Sequence, residues 1–252
     1  MGKFEEADGL LRPLVQGILR RGGRGLTTNW FKVTYSFLKN CSEWGRPEEG
    51  LEAARFSAKM VGDSLLQLGV LRLALHLEAR KKNKEAKELI VAVKENVERL
   101  PEDAAILQIR ARLTEWASGS EKALEYLRQN EARFRTEETG FSDSERARYF
   151  INCLIGELLL RAGRLKEARD QLHTMSLNDN VGEALFLLAL SYAKDKQDDE
   201  AAQFLDRAGL VHRRWCRIAQ LFELYPEIAD SHKRLNREPC KPVPEVPQGN
   251  ST

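Results

Sequence analysis

Several things are scarce in this sequence, and each scarcity removes a class of function. The 252 residues contain four cysteines, Cys41, Cys153, Cys216 and Cys240. None forms a Cys-x-x-Cys pair, and no histidine stands near one at zinc-site spacing. Scattered thiols of this kind fit a reducing compartment. The four histidines, His76, His173, His212 and His232, belong to no metalloprotease or nucleophile motif. His76 sits beside an apolar helical face and reads as packing or plain exposure. An excess of charge of one sign is also missing: 40 Lys and Arg against 38 Asp and Glu leave +2. A nucleic-acid binder carries a concentrated basic excess, so this balance argues against that role. No run approaches the roughly 20 apolar residues of a membrane helix. The first thirty residues carry charges throughout and hold no signal-peptide core. Gly2 is followed by Glu6 where a myristoylation site needs Ser or Thr. These absences lead to the expectation of a cytoplasmic protein with no membrane segment, no metal and no cofactor. Two glycosylation sequons, Asn40-Cys41-Ser42 and Asn250-Ser251-Thr252, read as chance matches in such a chain.

Strand-like alternation is missing as well, and helical periodicity takes its place almost everywhere. Leu65, Leu66, Leu68, Leu71 and Leu75 fall on one broad face, as do Leu154, Leu158, Leu159 and Ala162. Gly and Pro punctuate these runs rather than interrupt them. Ser120-Glu121 and Asp143-Ser144 look like helix starts, and Pro226 opens another short helix. Four of the eight prolines crowd into the tail EPCKPVPEVPQGNST, which is expected to be extended or disordered. The stretch 131–145 reads as a long solvated connection. Residues 20–29, RRGGRGLTTN, are glycine-rich but lack the Gly-Lys-Ser/Thr ending of a phosphate loop and follow a helix rather than a strand, so they read as a flexible joint.

The helices recur at related, though unequal, spacings. The opening stretch MGKFEEADGLL shares a phrase with GRLKEARDQL further on: Gly, a large apolar residue two later, then Glu-Ala and a later Leu. Placing the small residue of that phrase in register aligns Ala7, Gly50, Ala86, Ala123, Ala168 and Ala201. Before each of the last five lies another amphipathic helix, so the unit is a helical pair of about 34 residues with insertions. The clearest units are CLIGELLLRAGRLKEARDQLHTM, with Gly156, Leu159, Gly163, Ala168 and Leu172 in the key places, and EALFLLALSYAKDKQDDEAAQFLDRA, with Ala189, Tyr192, Lys196, Ala201, Leu205 and Ala208. Weaker units place Ala74, Leu77, Ala86, Ile90 and Val93, then Ala111, Ala123 and Leu127. Lys81 and Ser118 fall between the helices of these weaker units, where the clearest unit has Gly163, and Pro101 falls between two units. Two helices cross closely only where facing side chains are small, and a pair with one uncovered apolar face must stack on its neighbour.

At these residues the chain resembles the tetratricopeptide-repeat family, over about residues 2–210. The resemblance implies an all-α, right-handed α-solenoid of about five stacked hairpins spanning 26–211. Residues 1–25 then form an orphan second helix, 212–236 a capping segment that includes Trp215, Ile218, Leu221 and Phe222, and 237–252 a Pro-rich tail. The apolar strip of Leu10, Leu11, Leu14, Val15, Ile18 and Leu19 leads to the expectation that the orphan helix reflects a missing upstream part or a misassigned start rather than a polar cap. By the same resemblance the chain is a non-enzymatic scaffold that binds a protein or peptide in its concave groove. The inward places fall at Lys32, Tyr35 and Lys39, at Gln108, Arg112 and Trp116, at Glu157 and Arg161, and at Phe186. The two-carboxylate clamp of chaperone-binding members needs asparagines where this chain has Lys39, Leu75 and Arg112, so that subtype is not expected. Three basic clusters, Arg20/Arg21/Arg24, Arg80/Lys81/Lys82/Lys84 and Arg213/Arg214/Arg217, raise rival readings. The first rival is a regulatory module contacting nucleic acid through the last cluster, which Trp215 interleaves. The second is a fragment of a larger assembly subunit.

Overall fold

In a computed structural model of the chain, residues 3–22, 28–60, 63–131, 141–176, 182–211 and 225–236 are described. They form twelve α-helices and one short 3-10 helix, with no strand among them, as the all-α expectation requires. The helices are α1 (Lys3–Arg20), α2 (Thr28–Glu43), α3 (Leu51–Ala58), α4 (Ser64–Ala79), α5 (Asn83–Val97) and α6 (Ala104–Ser118). They continue with α7 (Ser120–Glu131), α8 (Phe141–Arg161), α9 (Leu165–Ser176), α10 (Gly182–Lys194), α11 (Asp198–Val211) and α12 (Pro226–Arg234). The 3-10 helix, Pro47–Gly50, leads directly into α3. Among the described residues no helix is long and apolar enough to cross a membrane.

Local chemistry sets the helix boundaries. The Asp63 carboxylate accepts the Leu66 amide at 2.8 Å, and Asp103 accepts that of Ile106 at 2.8 Å, so each acid satisfies an open donor at the start of α4 or α6. Ser120 opens α7 as expected, and Pro226 occupies the first turn of α12, where its missing N–H is harmless. The start expected at Asp143-Ser144 is corrected: α8 already begins at Phe141. The turns after α4, α8 and α10 each place one residue in the left-handed region, Lys81 at φ +60°, Gly163 at +76° and Lys196 at +59°. The backbone thus keeps the glycine conformation where the sequence has lysine. After α6 the glycine is shifted by one residue to Gly119.

Neighbours in the chain pack side by side: α1 on α2, α4 on α5, α6 on α7, α8 on α9 and α10 on α11. The even-numbered helices also touch in succession, α2–α4–α6–α8–α10–α12. The small residues in register mark the tight points. Ala74, Ala86, Ala111, Ala123, Ala168, Ala189 and Ala201 are all buried. At Gly156 an added Cβ would stand 2.6 Å from Leu172 Cδ2, and at Gly50 only 2.4 Å from Leu73 Cδ1. Helix α4 touches α2, α3, α5 and α6, and α10 touches α8, α9, α11 and α12. This is why their sequences, SLLQLGVLRLALHLEA and GEALFLLALSYAK, are apolar almost all round.

The core forms two clusters that meet at α6. Ile106 and Ile109 face the cluster built from α1–α5, while Leu107 and Ala111 face the one built from α7–α12. In the first cluster a buried polar pair closes the end of α3. Gln67 Nε2 donates to the Met60 carbonyl at 3.0 Å, and Asn96 Nδ2 donates to the Ala58 carbonyl at 2.7 Å and to Gln67 Oε1 at 3.2 Å. Carbonyls that end a helix inside a core need such donors. At the far end α12 lies on α10 and α11, held by Arg234 to Asp198 at 2.7 Å and Lys194 to Glu227 at 2.8 Å. Trp215, Ile218, Leu221 and Phe222, the loop 132–140 and the tail 237–252 lie outside the described residues.

Candidate functional site

The expected groove residues separate into three groups. Lys32, Tyr35 and Lys39 all lie on α2. Lys32 is exposed, Tyr35 is half-buried, and Lys39 lies 3.8 Å from Glu43. The Tyr35 ring rests on Gly69 of α4, where a Cβ would stand 3.0 Å from it. Two residues are placed in the interior instead. Gln108 is buried and donates to the Ala104 carbonyl of its own helix at 3.3 Å. Phe186 is 1% exposed and meets Tyr225 edge-on at 4.9 Å, so its ring is not open to a partner. The reason is long-range: Tyr225, the residue just before α12, covers the place where the register alone would leave an open surface.

The third group converges. Arg112 on α6 and Glu157 on α8 form an ion pair across the two helices. Arg161 holds the other oxygen of Glu157 at 2.8 Å and reaches Glu115 at 3.4 Å, and Arg112 also meets Glu115 at 2.9 Å. Ser120 donates to Glu115 at 3.1 Å. Two arginines and two glutamates therefore balance. Burial alone would push the Glu157 carboxyl up, but Arg112 and Arg161 outweigh it and bring its pKa down to about 2. Burial alone would lower the Arg112 guanidinium, and Glu157 and Glu115 outweigh that and raise it. One residue beyond Glu115, the Trp116 indole donates from Nε1 to Glu78 of α4 at 2.9 Å, while its ring stays 41% exposed.

Glu78 and Glu115 are the site residues missed in the sequence, and a signal for them exists. Each stands four places after the small register residue of its helix, Ala74 or Ala111. Trp116 and Arg161 stand five places after Ala111 and Gly156. The same rung therefore occurs twice: the fifth-place residue reaches back to the fourth-place acid of the preceding even-numbered helix. An acid at the fourth place followed, on the next even-numbered helix, by a donor side chain at the fifth place (Trp116 or Arg161) is a signal readable once the register is set.

Other reactive side chains are occupied or enclosed. Burial pushes Cys41 up to about 12 and pushes Cys153 up as well, so neither is a thiolate at neutral pH. His76 is half-buried; burial, then Arg72, lower its pKa to about 4, against a hydrogen bond to the Ser42 backbone. His173 lies 3.3 Å from the Tyr192 hydroxyl, and His212 lies outside the described residues. No group of three or more His, Cys, Asp or Glu that could hold a metal occurs among the described residues. Asn40 is buried, and its amide donates to the Phe4 carbonyl at 3.2 Å, which leaves that sequon no acceptor open to a glycosyltransferase. Of the basic clusters, Arg20 and Arg21 are exposed, Arg80 pairs with Glu48 at 3.3 Å, and Arg24, Arg213, Arg214 and Arg217 lie outside the described residues. The chain matches no protein-family model, and no curated protein matches it.

Proposed function

We propose that the chain is a non-enzymatic interaction scaffold of the tetratricopeptide-repeat kind. In this reading residues 26–211 form a right-handed α-solenoid of five hairpins. They are α2 with the 3-10 helix and α3, then α4/α5, α6/α7, α8/α9 and α10/α11. Residues 212–236 cap the last hairpin. The even-numbered helices line a concave groove that receives a peptide or helix of another protein, with no cofactor and no chemical step. Supporting the solenoid are the succession of contacts along the even-numbered helices and the missing side chains at Gly50 and Gly156, where the crossings are tightest.

The observation that carries the functional reading is the Trp116–Arg161 edge. Trp116 is the one aromatic among the exposed large hydrophobic side chains of the described residues, and Glu78 fixes its indole. Arg161, 51% exposed, stands on the next helix above a cluster that already holds its charges in place. Trp and Arg, pre-oriented and partly open to water, are the residue types that most often dominate binding energy. The balanced cluster beneath them disfavours long polyanions and favours a short segment with its own polar groups.

The test is selection of peptide ligands from a displayed random library, followed by titration of the winners against Trp116→Ala and Arg161→Ala. Each substitution is expected to weaken binding by about tenfold or more with the helical fold retained. Trp116→Ala should leave the melting temperature nearly unchanged, whereas Arg161→Ala should lower it modestly because Glu157 keeps only Arg112. Arg112→Ala is a poor probe, because it strands the buried Glu157 charge and destabilises the fold. Enrichment no better than on a control surface, or equal affinities for all three proteins, would remove the groove from consideration.

A further inference from the structure

We infer that the outer face of α1 pairs with the same face of a second copy of this chain, antiparallel across a two-fold axis. This goes beyond the groove reading and does not depend on it. Helix α1 buries one side: Val15 is 2% exposed, Leu11, Ile18 and Leu19 pack into the first core cluster, and Arg12 pairs with Asp8 and Glu49. The opposite stripe, at three- and four-residue spacing, consists of Glu6, Leu10, Pro13, Leu14, Gly17 and Arg21. Leu10 is 72% and Leu14 55% exposed. At Gly17 no atom lies within 4 Å of where a Cβ would be.

Charge order and shape select the occupant. Over the residues whose side chains are described, the stripe runs from the acidic Glu6 through an apolar middle to the basic Arg21, one residue past the end of α1. A two-fold axis passing between positions 13 and 14 brings Glu6 of one copy beside Arg21 of the other, and the reverse. It sets Leu10 over the bare surface at Gly17 and places Pro13 against Leu14. Every contact then occurs twice, as a self-complementary interface requires. A parallel arrangement would instead oppose Glu6 to Glu6 and Arg21 to Arg21. The order of charges also suits the dipole of α1 itself, and antiparallel packing opposes the two dipoles favourably. One helix face is smaller than the roughly 800 Å² per partner of a standard interface, so the dimer is weak and depends on concentration.

Sedimentation velocity on the full chain tests this. The mass is expected to rise from 28.7 kDa towards twice that value as protein is concentrated. Leu10→Glu with Leu14→Glu, both on the exposed stripe, should abolish the rise while the helical circular dichroism and melting temperature stay the same. Glu6→Arg alone and Arg21→Glu alone should each raise the dimer dissociation constant by about tenfold, and the two together should restore it. That rescue separates pairing across the two-fold from general apolar stickiness. A protein that stays monomeric at every concentration, whatever else covers the face, overturns the inference. So does self-association that the leucine substitutions leave intact, or a double charge reversal no better than its singles.

Discussion

His76 and Glu157 show how single side chains couple this fold to pH. The folded chain holds His76 at about 4, below its ordinary 6.5, because burial and the nearby Arg72 and Arg80 disfavour its cation. Between those two values the unfolded chain binds a proton that the folded chain refuses, so acidification favours unfolding. Above 6.5 the contribution is fully present. Glu157 acts in the next window down. Its pKa falls from 4.5 to about 2, so the stabilisation from Arg112 and Arg161 is complete above 4.5 and is lost towards 2. Thermal melts should therefore decline from about pH 6.5 downward and decline further below about 4.5. His76→Gln should flatten the upper part of that decline and leave the lower part unchanged; an unaltered profile would show that His76 is not the group responsible. The left-handed lysines give a second residue-scale expectation. A non-glycine residue in that conformation costs about 1–2 kcal/mol, partly offset by the entropy glycine loses on folding. Lys196 is exposed at φ +59°, so a glycine there gives up little buried surface. Lys196→Gly should raise stability by about 0.5–1 kcal/mol in a denaturant titration.

Between helices, the fit at Gly156 is the sharpest constraint. Its missing side chain admits Leu172, whose Cγ would stand 2.8 Å from an added Cβ. Gly156→Ala gains helix propensity but overpacks the α8–α9 crossing, for a net loss of about 1–3 kcal/mol. Adding Leu172→Val should recover part of that loss, and an additive double variant would mean that the two residues do not share the space. Asn96→Ala probes a different kind of junction. It leaves the Ala58 carbonyl and the Gln67 amide oxygen without a donor in the core and should cost about 1–3 kcal/mol. These two junctions differ in how readable they are. Gly156, Ala168 and Ala201 stand out in the sequence because a close crossing tolerates only small residues, so the constraint leaves a periodic mark. The Gln67–Asn96 pair leaves none, since its partners are carbonyls whose position depends on where α3 happens to end. The candidate site divides along the same line. Register alone points to Arg112, Glu157, Arg161 and Trp116; Arg161 and Trp116 stay about half open, while the ion pair across α6 and α8 leaves Arg112 and Glu157 largely covered. Phe186 shares the register but is covered by Tyr225, a contact made from far along the chain.

Across the molecule, among the described residues, the larger helix contacts run between helices that are close in sequence, and α6 places side chains in both core clusters. A compact globule with one core loses its stability everywhere when any core residue is cut. A ladder of nearest neighbours does not, because each unit is held by itself and by the units beside it. Leu73 in α4 and Leu158 in α8 are both fully buried, one in each cluster. Leu158→Ala removes the same three carbon atoms as Leu73→Ala, and each should cost about 2–5 kcal/mol locally. In native-state hydrogen exchange, Leu158→Ala should lower protection in α8–α11 by about 30-fold or more and leave α4 and α5 nearly unchanged. Leu73→Ala should do the reverse, and α6 should respond to both because it has a side in each cluster. Equal losses in all helices for either substitution would mean that the chain unfolds as one cooperative unit. The solenoid proposed above would then be the wrong description of how these helices depend on one another.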